Sequence, residues 1–253
     1  MEFFITIYHT FLFNPIFNGL IILAETIPGK DFGVAIIVLT IGIRFASYPL
    51  GAKAIKAQKK FADLQPKIKE IKDKFKDKKE EQTRAMLALY KEAKINPFSS
   101  FAPFLIQIPI FIVLYQIFSH GLDTEQFSIL YSFVETPEHI NTSFFGIIDL
   151  DDRSLPLALG VGVLQFLQLR QMQPSAKKKK EKKQKDGKPD ISSMMQTQMM
   201  YILPVVMAGV AATLPAAFGV YIATTTVFSI WQHWFISKRD KSEEEQSGAV
   251  QTA

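Results

Sequence analysis

Arg44 stands inside "AIIVLTIGIRFASYPL" (35–50), a run that is otherwise uncharged and mostly aliphatic. A guanidinium keeps its charge at any physiological pH, and an arginine at the centre of a lipid-embedded helix costs about 2.5–3.5 kcal/mol on insertion scales. Thr40, Ser47 and Tyr48 lie at i−4, i+3 and i+4 from it and share its helical face. Further apolar runs carry polar side chains at mid-depth: Gln107, then Gln165 and Gln168, then Tyr221, Thr225, Ser229 and Gln232. Tyr221, Thr225 and Ser229 fall four apart and form one stripe. Interhelical hydrogen bonding accounts for any one of these groups, and snorkelling toward the cytoplasm would relieve the arginine. Arg44 nevertheless differs from the rest, because no apolar run holds an Asp or Glu to pair with it. The expectation is a wet cavity open to the cytoplasm, lined by Arg44, Thr40, Ser47, Gln107, Gln165, Gln168, Tyr221, Thr225 and Ser229. The negative partner would then arrive from outside the protein.

Bond-making chemistry finds little support. His9, His120, His139 and His233 lack metal-ligand spacing, there is no Cys, and no Ser sits in a G-x-S-x-G setting. A phosphate-binding G-x-x-x-x-G-K-S/T loop is likewise missing from the sequence. No enzyme, cofactor or metal site is expected. Met194, Met195, Met199 and Met200 fit either an adaptable surface for varied apolar helices or ordinary packing at a helix end.

The elements that must position Arg44 follow from segregation of apolar and charged residues into blocks. A crossing helix needs about 20 mostly apolar residues, with roughly 17–25 the usual range. Five segments meet that: 32–50, 100–119, 155–172, 196–214 and 216–236, the last two separated at Pro215. Residues 51–96 hold fourteen Lys/Arg against seven acids, and 173–195 hold eight Lys against three acids. The loop 120–154 holds only Arg153 against seven acids. The positive-inside rule then sets the amino terminus outside and the carboxyl terminus, with tail 237–253, in the cytoplasm. The fold class expected is an all-α polytopic membrane protein with a five-helix core. At 1.5 Å rise per residue, Arg44 lies about 18 Å along the helix from Phe32 and about 13 Å from Lys53, in the inner half of the bilayer. The segment 1–31, apolar over 3–23 but interrupted by Asn14, Pro15, Asn18 and Gly19, reads as an interfacial helix with a linker rather than a sixth span or a signal peptide.

Within the cytoplasmic segment 51–99, apolar residues recur at helical spacing as Ile55, Phe61, Leu64, Ile68, Ile71 and Phe75, then Met86, Leu87, Leu89, Tyr90 and Ala93. "KDKKEEQ" between the two sets predicts a turn and hence an antiparallel helical hairpin, either a spacer or a docking arm. "PSAKKKKEKKQKDGKPD" in the basic loop 173–195 has the composition of a disordered linker, suited to anionic lipid headgroups or to ribosomal RNA.

The segments "IIVLTIGIRFASYPL", "LQPKIKEIKDKF", "ALYKEAKINPF" and "PFLIQIPIFIVLYQIF", with "FNPIFNGLIIL" ahead of them, closely resemble the YidC/Oxa/Alb-type membrane protein insertases from about Phe11 to Phe235. That resemblance implies a five-helix core around a hydrophilic groove, open to the cytoplasm and sideways to lipid and closed on the outer side. It implies that Arg44 is the groove arginine, with Thr40 a groove position one turn earlier, and that the hairpin is mobile and needed for activity. It further implies nascent membrane proteins as substrates, with the ribosome and targeting factors approaching the basic loop and tail, and a Sec-type translocon as a possible neighbour. The family's fifth span often reads Pro-Ala-Gly-Leu-x-Leu-Tyr, an aromatic, then Ser-Asn. Here Pro215, Ala216, Ala217, Phe218, Gly219, Val220 and Tyr221 are followed by Ile222, and Thr225–Thr226 replace Ser-Asn. The large outer domain and the lipidated terminus found in some members are not expected. The competing function is a small secondary transporter with Arg44 as counter-charge to an anion. Mirrored half-repeats and an intramembrane proton relay, which such transporters often show, are not seen in the sequence.

Overall fold

The computed structural model describes residues 2–76, 78–94, 96, 102–119, 124–137, 140–172 and 191–251. Of these, the side chains of residues 4, 102–106, 124–126, 191–199, 241 and 243–251 are outside the description. The chain is mostly helical, as its sequence predicts. α1 (Glu2–Tyr8) runs through a π-helical turn (His9–Phe13) into α2 (Asn14–Thr26). α3 is Phe32–Ala46, α4 Tyr48–Asp63, α5 Gln65–Lys74 and α6 Lys79–Glu92. α7 is Ala102–Ser119, α8 Leu155–Met172, α9 Ile191–Thr213 and α10 Ala216–Gln251. A two-stranded antiparallel hairpin, β1 (Ser143–Phe144) and β2 (Ile148–Asp149), pairs Ser143 with Asp149 and Phe144 with Ile148. By length and composition, Ile5–Thr26 is a helix long and apolar enough to cross a membrane, and Phe32–Ala46 with Tyr48–Asp63 meet that test as a pair.

The chain divides into two units. One comprises Met1–Ala46, Ile108–Gln171 and Lys183–Trp231. Its core is a seam of aliphatic and aromatic side chains from α2, α3, α7, α8 and α10, including Phe17, Leu20, Phe32, Ile36, Leu114, Val161 and Phe218, all essentially shielded. Rings interlock edge-to-face at 6.2 Å (Phe32–Phe118), 6.3 Å (Phe118–Phe218) and 4.6 Å (Phe111–Phe218), the arrangement their quadrupoles favour. Asp31 caps α3, its Oδ1 accepting from the Val34 N–H at 3.1 Å. Asp31 Oδ2 accepts from the Phe145 N–H at 2.7 Å, and the Phe32 N–H donates to the Asn141 carbonyl at 3.2 Å. The loop is therefore sewn to the start of α3. It is also sewn to the start of α10, where the Ala216 and Ala217 N–H groups donate to the carbonyls of Asp152 (2.7 Å) and Leu150 (3.0 Å). Gly33 makes the close fit possible: a Cβ there would stand 2.1 Å from Phe144 Cδ2.

The second unit comprises Ser47–Gln107, Met172–Lys182 and Gln232–Ala253. α5 and α6 pack against each other, burying Ile68 and Leu89, with Phe61 and Tyr90 rings 5.8 Å apart. The arm differs from its sequence reading in two places. Leu64 separates α4 from α5, with Pro66 in the first turn of α5, the position proline tolerates best. The turn is shorter than "KDKKEEQ": α6 starts at Lys79, so Glu80 and Glu81 lie in its first turn, where the helix dipole favours acids. α10 does not stop at 236 but continues through the expected tail to Gln251. That stretch contains no Pro, and the Asp240 carboxylate stands 3.6 Å from Lys56 Nζ and 3.5 Å from Lys59 Nζ.

Candidate functional site

α3 places Arg44 in its last turn, half-buried. One turn earlier Thr40 is buried, its hydroxyl donating to the Ile36 carbonyl at 2.6 Å. Back-bonding of this kind satisfies a hydroxyl without a second helix. The sequence predicts a cation with no internal partner, and here the structure corrects it. Arg44 is not without a partner, and Tyr221, from α10, lies close enough to act on it electrostatically. Tyr221 is almost fully buried and packs edge-on to Phe218 at 5.9 Å.

On the same helix the polar stripe resolves into two faces. Thr226 is 1% exposed; its hydroxyl donates to the Ile222 carbonyl at 2.7 Å and accepts from Gln165 Nε2 of α8 at 3.3 Å. Ser229 Oγ donates to the Thr225 carbonyl at 2.9 Å. The Thr225 hydroxyl is buried with no hydrogen-bond partner among the described residues. Gln168 of α8 is half-buried. Below it Gln171 donates through Nε2 to the Ile230 carbonyl at 3.1 Å, while its Oε1 is buried without a partner among the described residues. Two unsatisfied polar atoms among these residues are unusual, since buried polar groups are generally bonded. They offer an acceptor and a hydroxyl to water or to an incoming chain. Sequence spacing selected every fourth residue and so missed Thr226 and Gln171. The signal for Gln171 was present, three residues after Gln168, but it fell at the margin of the apolar run.

Beside Arg44, Phe45 meets Phe228 at 5.1 Å and Trp231 at 6.1 Å, and Phe228 meets Trp231 at 5.2 Å. Phe45 and Trp231 remain exposed. Ile222, which stands where the resembled family often has an aromatic, is buried within the unit.

Ser47 and Gln107 belong to the other unit, and each is half-buried. Ser47 has φ −86° and ψ 1° between α3 and α4. The helix therefore does not run to residue 50 as the apolar run led one to expect, and the signal was Pro49, which suits the first turn of α4. Gln232, grouped with the stripe by spacing, donates from Nε2 to the Tyr48 carbonyl at 3.0 Å. Gly51 leaves room for it: a Cβ there would lie 2.8 Å from Gln232 Nε2. Of the methionine group, Met194, Met195 and Met199 lie outside the described side chains, as do His120, His139 and residues 173–190 of the basic loop.

The model of the family described as 60Kd inner membrane protein matches residues 22–244. Among curated relatives, the membrane protein insertase YidC of Francisella philomiragia subsp. philomiragia is 29% identical over 208 residues, 82% of this chain and 33% of that protein. Its namesakes in Francisella tularensis subsp. novicida and subsp. tularensis are each 30% identical with the same coverage. The chain thus spans about a third of the length of these relatives. With the family model covering nearly all of the chain that holds Arg44, Thr40, Gln165 and Tyr221, the chain belongs to the YidC/Oxa family of 60Kd inner membrane proteins.

Proposed function

We propose that this chain is a membrane protein insertase of a bacterial-type inner membrane, crossing it five times over 32–50, 100–119, 155–172, 196–214 and 216–236. The amino terminus is outside and the carboxyl terminus cytoplasmic. The names of its relatives, the charge asymmetry of its loops and the acid-free apolar runs support this. The 1–31 segment is best placed along the outer surface. Asn18 is buried there, with its Nδ2 donating to the Ile129 carbonyl at 3.3 Å and its Oδ1 accepting from the Tyr131 N–H at 2.7 Å. Both partners lie in the loop that the charge pattern assigns to the outside.

The observation that carries the mechanism is the arginine in the last turn of α3, half-buried and within electrostatic reach of Tyr221. A short acidic segment of a nascent membrane protein, drawn from the cytoplasm toward Arg44, exchanges water for a fixed positive charge in a medium of low dielectric. Thr225, Gln165, Gln168, Gln171 and Ser229, with Thr40 and Tyr221, are the polar groups assigned to the path; Ser47 and Gln107 are candidates by sequence position alone. The substrate's apolar helix then leaves sideways into lipid, driven by roughly 25 cal/mol for each Å² of apolar surface removed from water. No cofactor is involved. The hairpin 51–99, the basic loop 173–195 and the α10 extension are assigned to the ribosome, targeting factors and lipid headgroups, with a Sec-type translocon as a neighbour.

The test is insertion of a substrate with an acidic amino-terminal tail into vesicles carrying the purified chain. Arg44→Ala should reduce insertion roughly tenfold, the factor that about 1.4 kcal/mol represents. Arg44→Lys should retain most of it if charge rather than forked geometry matters. Undiminished insertion by Arg44→Ala would remove the arginine from the mechanism.

A further inference from the structure

The outer hairpin carries a feature that neither its fold nor the insertion mechanism explains. Its tip, "SFFGII" (143–148), has no charge, although Asp149, Asp151 and Asp152 follow directly. The Ile147 N–H closes the turn on the Phe144 carbonyl at 3.0 Å, leaving Phe145 and Gly146 as its central residues with φ of 50° and 70°. Two-residue turns with both central residues at positive φ strongly favour Asn-Gly, because an ordinary side chain is strained there. Gly146 meets that demand and Phe145 does not. The strain secures little packing in return: the Phe145 ring lies 4.5 Å from that of Phe144, yet Phe145 is 68% exposed and Ile147 is 83% exposed, whereas Phe144 turns inward onto Gly33. A bulky aromatic held in an unfavourable conformation and aimed outward points to a partner for its ring.

The surroundings indicate which partner. The hairpin is hydrogen-bonded through Asp31 and Asn141 to the start of α3, an apolar helix. Six residues beyond β2, α8 opens with Leu155 and continues with Leu159, Val163 and Leu167, exposed and spaced four apart along one face, as a lipid-facing stripe would be. The tip is thus tethered to helix ends where hydrocarbon gives way to headgroups, the layer in which aromatic and aliphatic side chains partition together. We infer that Phe145 and Ile147 form a membrane-surface anchor that dips into the outer leaflet and fixes the loop 140–154 against the bilayer. The occupant is the lipid surface itself. This rests on the reading that α3 and α8 span the bilayer.

Because the chain has no Cys, single cysteines report cleanly. Ile147→Cys, Val163→Cys and Asp151→Cys are each labelled with the fluorophore NBD in the full chain. The labelled proteins are reconstituted in phosphatidylcholine–phosphatidylglycerol vesicles with spin-labelled lipid quenchers. The label at 147 should be blue-shifted and quenched by lipids carrying a shallow spin label. The label at 163 should respond to deep quenchers and that at 151 to aqueous iodide. Adding Phe145→Asn, which suits the turn, should release the 147 label into water without lowering thermal stability. If 163 is quenched while 147 behaves like 151, the anchor is wrong and the spanning reading stands; a protein rather than lipid partner would give this same result. If Phe145→Asn leaves the 147 label in lipid, the anchor role of the ring is overturned. If 163 itself is unquenched, the spanning reading fails and the anchor with it.

Discussion

The loop 124–154 and the hairpin 48–94 are connecting segments of comparable size built to opposite rules. The loop is held by main-chain hydrogen bonds to the starts of α3 and α10, by the buried Asn18 on its first half, and by a ring seated on Gly33. Among its described residues the hairpin buries few side chains, Ala54, Ile68 and Leu89, and its Lys78–Glu81 pair lies at the surface, where such contacts contribute little. The loop spends its polar groups on fixing its own position, whereas the hairpin leaves its charges in water. If the protein is the insertase proposed above, this asymmetry suits a sealed outer side and a working cytoplasmic arm, with closure assigned to one segment and motion to the other.

The sharpest break of the comparison is removal of residues 57–93. Insertion should be abolished while the helices of the other unit keep their thermal unfolding midpoint; a matching loss of stability would make the hairpin structural. Gly33→Ala, which drives a Cβ into the Phe144 ring, should cost about 2 kcal/mol and lower the midpoint by several degrees in a melt. Asn18→Ala, leaving the Tyr131 N–H without its acceptor, should cost about 1–2 kcal/mol, with hydrogen exchange rising first at 129–131. Asp240→Asn on the hairpin side should cost below about 1 kcal/mol, and raising salt should mimic it, since Lys56 and Lys59 are exposed.

The smallest effect concerns Asp151, whose carboxyl is pushed up by partial burial and then by the neighbouring Asp149 and Asp152. The folded protein holds this proton longer than the unfolded chain, so stability falls as pH rises from the ordinary carboxylate range through the raised value. Asp151→Asn should therefore be slightly stabilising at neutral pH and neutral in acid. An unchanged difference between the two proteins across that range would remove Asp151 as the source.

Helical class, the position of Arg44 and the alternation of charge were legible in sequence because each depends on local composition and a 3.6-residue period. The break at Ser47 left only Pro49 as its trace. The role of Asn18 left none, because its acceptor and donor partners lie more than a hundred residues along the chain. The same applies within the site. Spacing identified Tyr221, Thr225 and Ser229 as one stripe, and the neighbouring helices decided that Thr226 meets Gln165, that Tyr221 lies within electrostatic reach of Arg44, and that the Thr225 hydroxyl finds no partner among the described residues. Sequence by itself determined which residues prefer hydrocarbon and which carry charge, since transfer free energy belongs to each side chain. Only the tertiary structure decided which polar atom meets which, because a hydrogen bond forms over about 3 Å and no period along one helix encodes the rotation of another.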